Sequence, residues 1–167
     1  MSEAAEDPTL PEAVRDLLGQ PCHARLSDIP ANTVSVRALL AAVGDPSTRA
    51  WDTETPAAPP WMLSTWSRPE LWSPAEAPPA LALHHELKAL LGYPVAVVSA
   101  IESLFHSPVP IGARVQSEQR LLSISTEKRT RLGTGRFWRI EVRYTLPEAA
   151  LAGCETFECF GYRREPA

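Results

Sequence analysis

With 167 residues, 44% of them apolar, the chain is long enough to bury one substantial core, and its size favours one domain over two. A formal charge of −4 and a pI near 5.6 leave no basic excess to neutralise phosphates, which argues against non-specific nucleic-acid binding. No apolar run reaches membrane-span length, and the acidic start MSEAAEDP lacks the positive charge of a signal peptide, so no membrane partner and a cytoplasmic location are expected.

Residues 1–10 hold little that can pack and read as a disordered tail, leaving 11–167 as a single domain. Pro11 to Leu18 predicts a short helix closed by Gly19. A second helix begins at Asn32 or Thr33, both good N-caps, sets Val36, Leu39, Leu40 and Val43 on one face, and ends at Gly44. Between Pro56 and Pro79 stand seven prolines, too many for a long regular element, yet Trp61, Met62, Leu63, Trp66, Leu71 and Trp72 make the stretch too aromatic for a linker. Within it, Pro59-Pro60 opens a helix over 61–67 that Pro69 cuts to about two turns. Ala80 to Leu91 is the clearest helix, with Leu83, Leu87, Leu90 and Leu91 in a stripe and Gly92 to stop it.

After Pro94 the residues become β-branched and alternating, which predicts strands near 95–106, 114–126, 133–145 and 155–163. The second alternates imperfectly and changes face midway. The third separates Phe137, Arg139, Glu141 and Arg143 from Trp138, Ile140, Val142 and Tyr144 with a period of two, so one side packs and the other meets water or a partner. Helices followed by a four-stranded meander give an α+β chain with an antiparallel sheet.

Cys22, Cys154 and Cys159 are odd in number and lack zinc-ligand spacing, so reduced thiols and no metal are expected. His84 and His85 point about 100° apart on a helix and read as solvated. His106 ends a strand before a proline-rich turn, where it either holds the turn or meets a ligand. Lys128, Arg129, Arg131 and Arg136 concentrate positive charge on one hairpin, either to hold phosphates or to discourage edge pairing.

The segment Gly44-Asp45-Pro46-Ser47-Thr48-Arg49-Ala50-Trp51-Asp52 resembles the G-D-x-N-P-x-H-x-D loop of MaoC-like enoyl-CoA hydratases. Asp45 keeps the acid, Ser47 and Thr48 replace Asn-Pro, and Ala50 stands where the histidine belongs. Asp45 is thereby either a vestigial catalytic acid or a turn residue bonded to its own backbone. Together with APPWMLSTW, LFHSPVPIGARVQSEQRLLSI, EKRTRLGTGRFWRIEVRY and ETFECFGYRR, in that order, the loop gives a resemblance over 20–164 to the MaoC-like, fatty-acid-synthase-type dehydratases. Nearest in texture is the MaoC-like domain in the large subunit of actinobacterial steroid side-chain enoyl-CoA hydratases.

That resemblance implies a hot-dog fold, an antiparallel sheet wrapped around a shortened central helix, which pairs with a second hot dog. It implies a non-catalytic, pocket-forming subunit in a heterodimer or dimer of heterodimers, whose small MaoC-like partner supplies the catalytic Asp and His. The reaction implied is hydration of a trans-2-enoyl-CoA with a bulky, steroid-like acyl group, and it needs no cofactor beyond the CoA thioester. Trp61, Met62, Trp66 and His106 are the expected substrate contacts, and Lys128, Arg129, Arg131 and Arg136 the expected CoA contacts. The large subunits it resembles usually carry an OB-fold domain that docks an aldolase; here that domain is expected either as a separate OB-fold protein, with an aldolase as a further partner, or as a part removed from a longer chain, unless the chain is a free-standing homologue. Alternatives are an acyl-CoA-binding scaffold and a hot-dog thioesterase.

Overall fold

The computed structural model describes residues 7–46, 48, 51, 54, 56–68, 79–147 and 150–164. Its elements in chain order are α1 (Glu12–Asp16), β1 (Pro21–Leu26), α2 (Thr33–Val43), β2 (Ala57–Ala58), a 3-10 turn at Pro60–Met62, α3 (Leu63–Ser67), α4 (Ala82–Leu90), β3 (Val95–Phe105), β4 (Val109–Pro110), β5 (Gln116–Ile124), β6 (Lys128–Thr130), β7 (Gly133–Thr145) and β8 (Leu151–Arg163).

The local signals act as expected. The Asn32 side chain accepts the Ser35 N–H at 2.9 Å and starts α2. Gly44, in the left-handed conformation at φ 65°, ends it: the Asp45 N–H reaches Leu40 O and the Gly44 N–H reaches Ala41 O, a Schellman closure. Helix α3 stops at Ser67 because Arg68, ahead of a proline, is extended at ψ 137°.

The main sheet runs β1-β5-β7-β8-β3, with β6 on β7, and every pairing in it is antiparallel. The expected meander holds for β5, β7 and β8, but β3 pairs with β8 rather than with β5. Joining β3 to β5 are the turn after Phe105 and the short β4, which pairs with β2 and carries the chain across. Strand β1, absent from the sequence reading, pairs with β5 through a bulge between Cys22 and Arg25 that holds His23 at φ 49°. Its short, mixed PCHARL sequence has no period to reveal it.

Strand β7 is central and two-faced. Trp138, Ile140, Val142 and Tyr144 are buried beneath the helices, whereas Phe137 and Arg139 face outward and exposed. A bulge between Leu121 and Ser123 is the face change foreseen in β5: Ser117, Gln119 and Leu121 point inward before it, and Ile124 after it. Val14, Val36, Leu40, Met62, Leu63, Leu83 and Leu87 come down from the helices onto this inner face, each contributing about 1.5–3 kcal/mol by burial. Gly161 permits the closest approach, because a Cβ there would lie 2.4 Å from the Trp138 ring.

Two expectations are corrected at the sheet end that holds Arg136. Asp7 to Leu10 are not a loose tail: Leu10 enters the core, and Asp7 and Thr9 engage Arg136. Arg136 is 3% exposed and donates to Asp7 Oδ2 at 2.7 Å, Thr9 Oγ1 at 2.6 Å and Ser125 O at 2.8 Å, so it clamps the chain start and is not available to CoA phosphates. The Asp7 carboxyl is held down to about 2, first by the Thr9 hydroxyl and N–H and then by Arg136. A carboxyl with a depressed folded pKa adds stability above its ordinary value of 3.8 and loses it as pH falls through about 2. Asp7→Asn is expected to lower the melting temperature by several degrees at neutral pH and by progressively less below pH 3.8, read by thermal denaturation across that range.

Candidate functional site

Helix α3 lies over one end of the sheet, where a Cβ on Gly153 of β8 would meet the Leu63 side chain at 2.7 Å. Of the expected pocket residues, Met62 and Trp66 are buried there, and Trp61 is 43% exposed beside them. The Trp66 indole N–H is buried without a partner among the described residues, leaving a donor inside an apolar wall. His106 follows β3, with its backbone N–H on Ala152 O at 2.9 Å and its side chain exposed. The β2–β4 ribbon pairs Ala58 with Val109, so Trp61 and His106 leave the same end of that ribbon.

The expected short central helix is α3, which ends at Ser67; among the described residues the next helix is α4, whose start is fastened to the sheet by Gln119. Gln119 Nε2 donates to Ala80 O at 3.2 Å, and its Oε1 accepts the Leu83 N–H at 3.0 Å. Between α3, α4 and β1 lies a cavity of about 340 Å³ lined by His23, Arg25, Ser67, Ala80, Ser117 and Gln119. His23 Nε2 meets Glu86 Oε2 of α4 at 2.7 Å and ties the β1 bulge to that helix. Neither His23 nor this cavity was foreseen, because a five-residue helix, a bulge and a distant strand form it together.

Beside the cavity lies a buried polar pair that the sequence reading also missed. Tyr144 on β7 donates its hydroxyl to Glu155 Oε2 on β8 at 2.8 Å. Burial first, and then the Glu155 charge, push the Tyr144 phenol far up, so it remains a proton donor. The alternation of β8 was the one available signal, because Glu155 falls on the inner face with Phe157 and Cys159.

His84 is the second correction. It is buried rather than solvated, lies 5.5 Å from the Trp138 ring centre, and its Nδ1 has no partner among the described residues. Burial lowers its pKa first, followed by the charges of His85 and Lys88. Its position on the sheet-facing side of α4 makes it a core residue of the helix–sheet contact.

The loop around Asp45 is described only in part. Asp45 closes α2 through its backbone, and Arg37 lies over the Trp51 ring at 5.2 Å. Ser47, Arg49, Ala50 and Asp52 lie outside the described residues, as do Leu71 and Trp72. The remaining basic residues of the hairpin, Lys128, Arg129 and Arg131, are exposed, but at the opposite end of β7 from α3 and His106. Ten or so residues of strand at about 3.3 Å each put roughly 30 Å between the two groups. Within one copy of this chain they do not form one site.

An antiparallel sheet in this order, its inner face covered by helices inserted between β1 and β3, is the hot-dog fold of the MaoC-like dehydratases. Among solved structures, the ChsH1-ChsH2 complex from Mycobacterium tuberculosis matches with a TM-score of 0.71 at 21% identity, covering 88% of this chain and 86% of that chain. A MaoC-like dehydratase from Rhodospirillum rubrum matches at a TM-score of 0.57 and 14% identity, covering 92% and 98%. In sequence, the chain is 32% identical over 131 residues to a probable enoyl-CoA hydratase alpha subunit of Thermomonospora curvata; the match takes in 72% of this chain but spans only 40% of that relative's length. No family model matches the chain.

Two measurements test the buried polar groups. Tyr144→Phe strands the Glu155 carboxylate beneath α3 and is expected to cost about 1–3 kcal/mol, measured by urea denaturation. His84, with its folded pKa lowered, leaves the fold at full stability above 6.5 and weakens it as pH falls below that value. His84→Leu is expected to flatten the fall in melting temperature between about pH 7.5 and 5.5.

Proposed function

We propose that the chain is the pocket-forming, non-catalytic subunit of a heteromeric hydratase that adds water across a trans-2-enoyl-CoA. The observation that carries this reading is the terminal strand β3. It is eleven residues long, ends the sheet, and leaves Val97, Val98, Ile101, Leu104 and Phe105 exposed, Ile101 by 58%. A long, apolar, uncovered edge is a template for another strand. A second hot-dog domain laid antiparallel along β3 would continue the sheet and cover these side chains. The likeness to a hydratase alpha subunit and to a two-component complex supports a different, smaller MaoC-like chain as that partner.

In this reading the partner contributes the Asp and His that activate water for attack at the β-carbon and return a proton to the α-carbon. Alanine at position 50 lacks a group able to do either. Met62 and Trp66 wall the acyl chamber, with Trp61 and His106 at its rim. The short α3, which ends at Ser67, and the cavity beside it support a bulky acyl group such as a steroid. Across an antiparallel dimer, the hairpin carrying Lys128, Arg129 and Arg131 turns away from its own chamber and towards the partner's half, where CoA phosphates would meet it.

Purified alone, the chain is expected to hydrate no enoyl-CoA; co-expressed with a MaoC-like chain that carries an intact D-x-N-P-x-H loop, it is expected to co-purify and show turnover. Ile101→Lys, at the exposed edge, is expected to abolish both co-purification and activity while leaving the circular dichroism of the isolated chain unchanged. Normal turnover by the isolated chain would overturn the division of labour.

A further inference from the structure

The outer face of the sheet carries an aromatic stack that the hydratase reading does not use. Phe137 on β7 and Phe160 on β8 stand opposite each other in register, with ring centres 4.3 Å apart and planes within 23°. Tyr162 continues the stack from Phe160 at 5.2 Å and 11°. Phe160 and Tyr162 are buried, whereas Phe137 is 38% exposed and is the open end of the ladder. One ring face is held by Phe160, so the ring is fixed in place and its free side borders a cavity of about 260 Å³.

The other walls of this cavity suit a phosphorylated ligand. Ser123 and Thr126 contribute hydroxyls, and Lys128 an exposed ammonium that has no ion-pair partner among the described residues. Arg139 also lines it, and its contact with Glu158 is loose, at 4.0 Å between two half-exposed side chains. A guanidinium held that weakly in water can turn to a phosphate at small cost. Glu158 also lines the cavity and Glu127 precedes Lys128; their negative charge opposes a bare anion, so stacking on Phe137 has to supply part of the affinity. A base stacked on a preformed aromatic platform, with cations at its margin, is the common physical solution for holding single nucleotides.

We propose that this outer shelf binds the phosphorylated adenosine end of a nucleotide, with the base extending the stack on Phe137 and the phosphate held by Lys128 and Arg139. The site lies on the face of β7 opposite to α3 and α4 and shares only Lys128 with the hydratase reading, so the aromatic platform and Arg139 are its own. Two sources share this chemistry: the adenosine bisphosphate portion of CoA and a free adenine nucleotide.

Titration calorimetry of the purified chain with adenosine 3′,5′-bisphosphate tests the proposal without any partner or turnover. Saturable binding is expected, about tenfold weaker in Phe137→Leu and several-fold weaker in Lys128→Gln, with both variants melting as the parent does. Competition by CoA would name CoA as the source; binding that CoA cannot displace would name a free nucleotide, and either upholds the site. Absence of binding at millimolar nucleotide, an unchanged affinity in Phe137→Leu, or inorganic phosphate binding as tightly as the bisphosphate would overturn it. A hydratase that assembles and turns over while this titration fails would remove the shelf alone.

Discussion

The contact between Trp138 and the backbone of Gly161 sets the geometry of this molecule. Strand β7 lies between β5 and β8, and its inward residues form the floor on which the helices rest. A Cβ at position 161 would strike the Trp138 ring, so the large indole lies flat against the neighbouring strand, with Tyr93 and His84 over it. That allows α4 to settle on β5 and β7, with Gln119 fastening its first turn. Where α4 begins also sets the cavity beside β1 and the direction in which β3 leaves.

The two faces of β7 separate two kinds of chemistry. Inward, an apolar floor is interrupted by the Tyr144–Glu155 pair next to α3, so the chamber is not uniformly greasy. Among the described residues Tyr144 is the side chain that donates to Glu155, and a buried polar group needs such a partner to avoid a desolvation cost. Outward, the same strand offers Phe137 and Arg139 to solvent, and the neighbouring hairpin supplies Lys128. The sheet between them separates the buried floor from this exposed aromatic face within one copy of the chain.

Edge and end effects explain the rest of the architecture. Strand β3 has a partner on one side only, and its exposed Ile101 and Phe105 are the side chains a continuing sheet would cover. At the far end of β7, Arg136 does the reverse: it draws Asp7 and Thr9 in and seals the sheet against the chain start. Among the described residues one edge of the sheet is uncovered, and one end of β7 is closed by an internal ion pair.

Much of this was legible in residue order because it depends on local rules. Asn32 and Gly44 delimit α2 through caps made within a few residues, the period of two in β7 announces a two-faced strand, and a proline at 69 ends α3. The broken alternation of Gln116 to Ile124 already carried the β5 bulge. The MaoC-like order of segments pointed to the hot-dog fold. What the chain could not disclose by itself depends on residues far apart in sequence meeting at one point. Arg136 looked like one cation among four until Asp7, 129 residues earlier, closed on it. His84 looked solvated because helical periodicity says which residues share a face but not how wide the covered face is. Strand β3 was assigned to the wrong neighbour because alternation fixes which side a strand buries, whereas pairing is decided by which edge the connection can reach. Composition and local geometry determined the elements and their caps; the Tyr144–Glu155 pair and the aromatic stack were decided only when antiparallel register brought β7 and β8 together, and the cavity only when β1 and α4 met over β5.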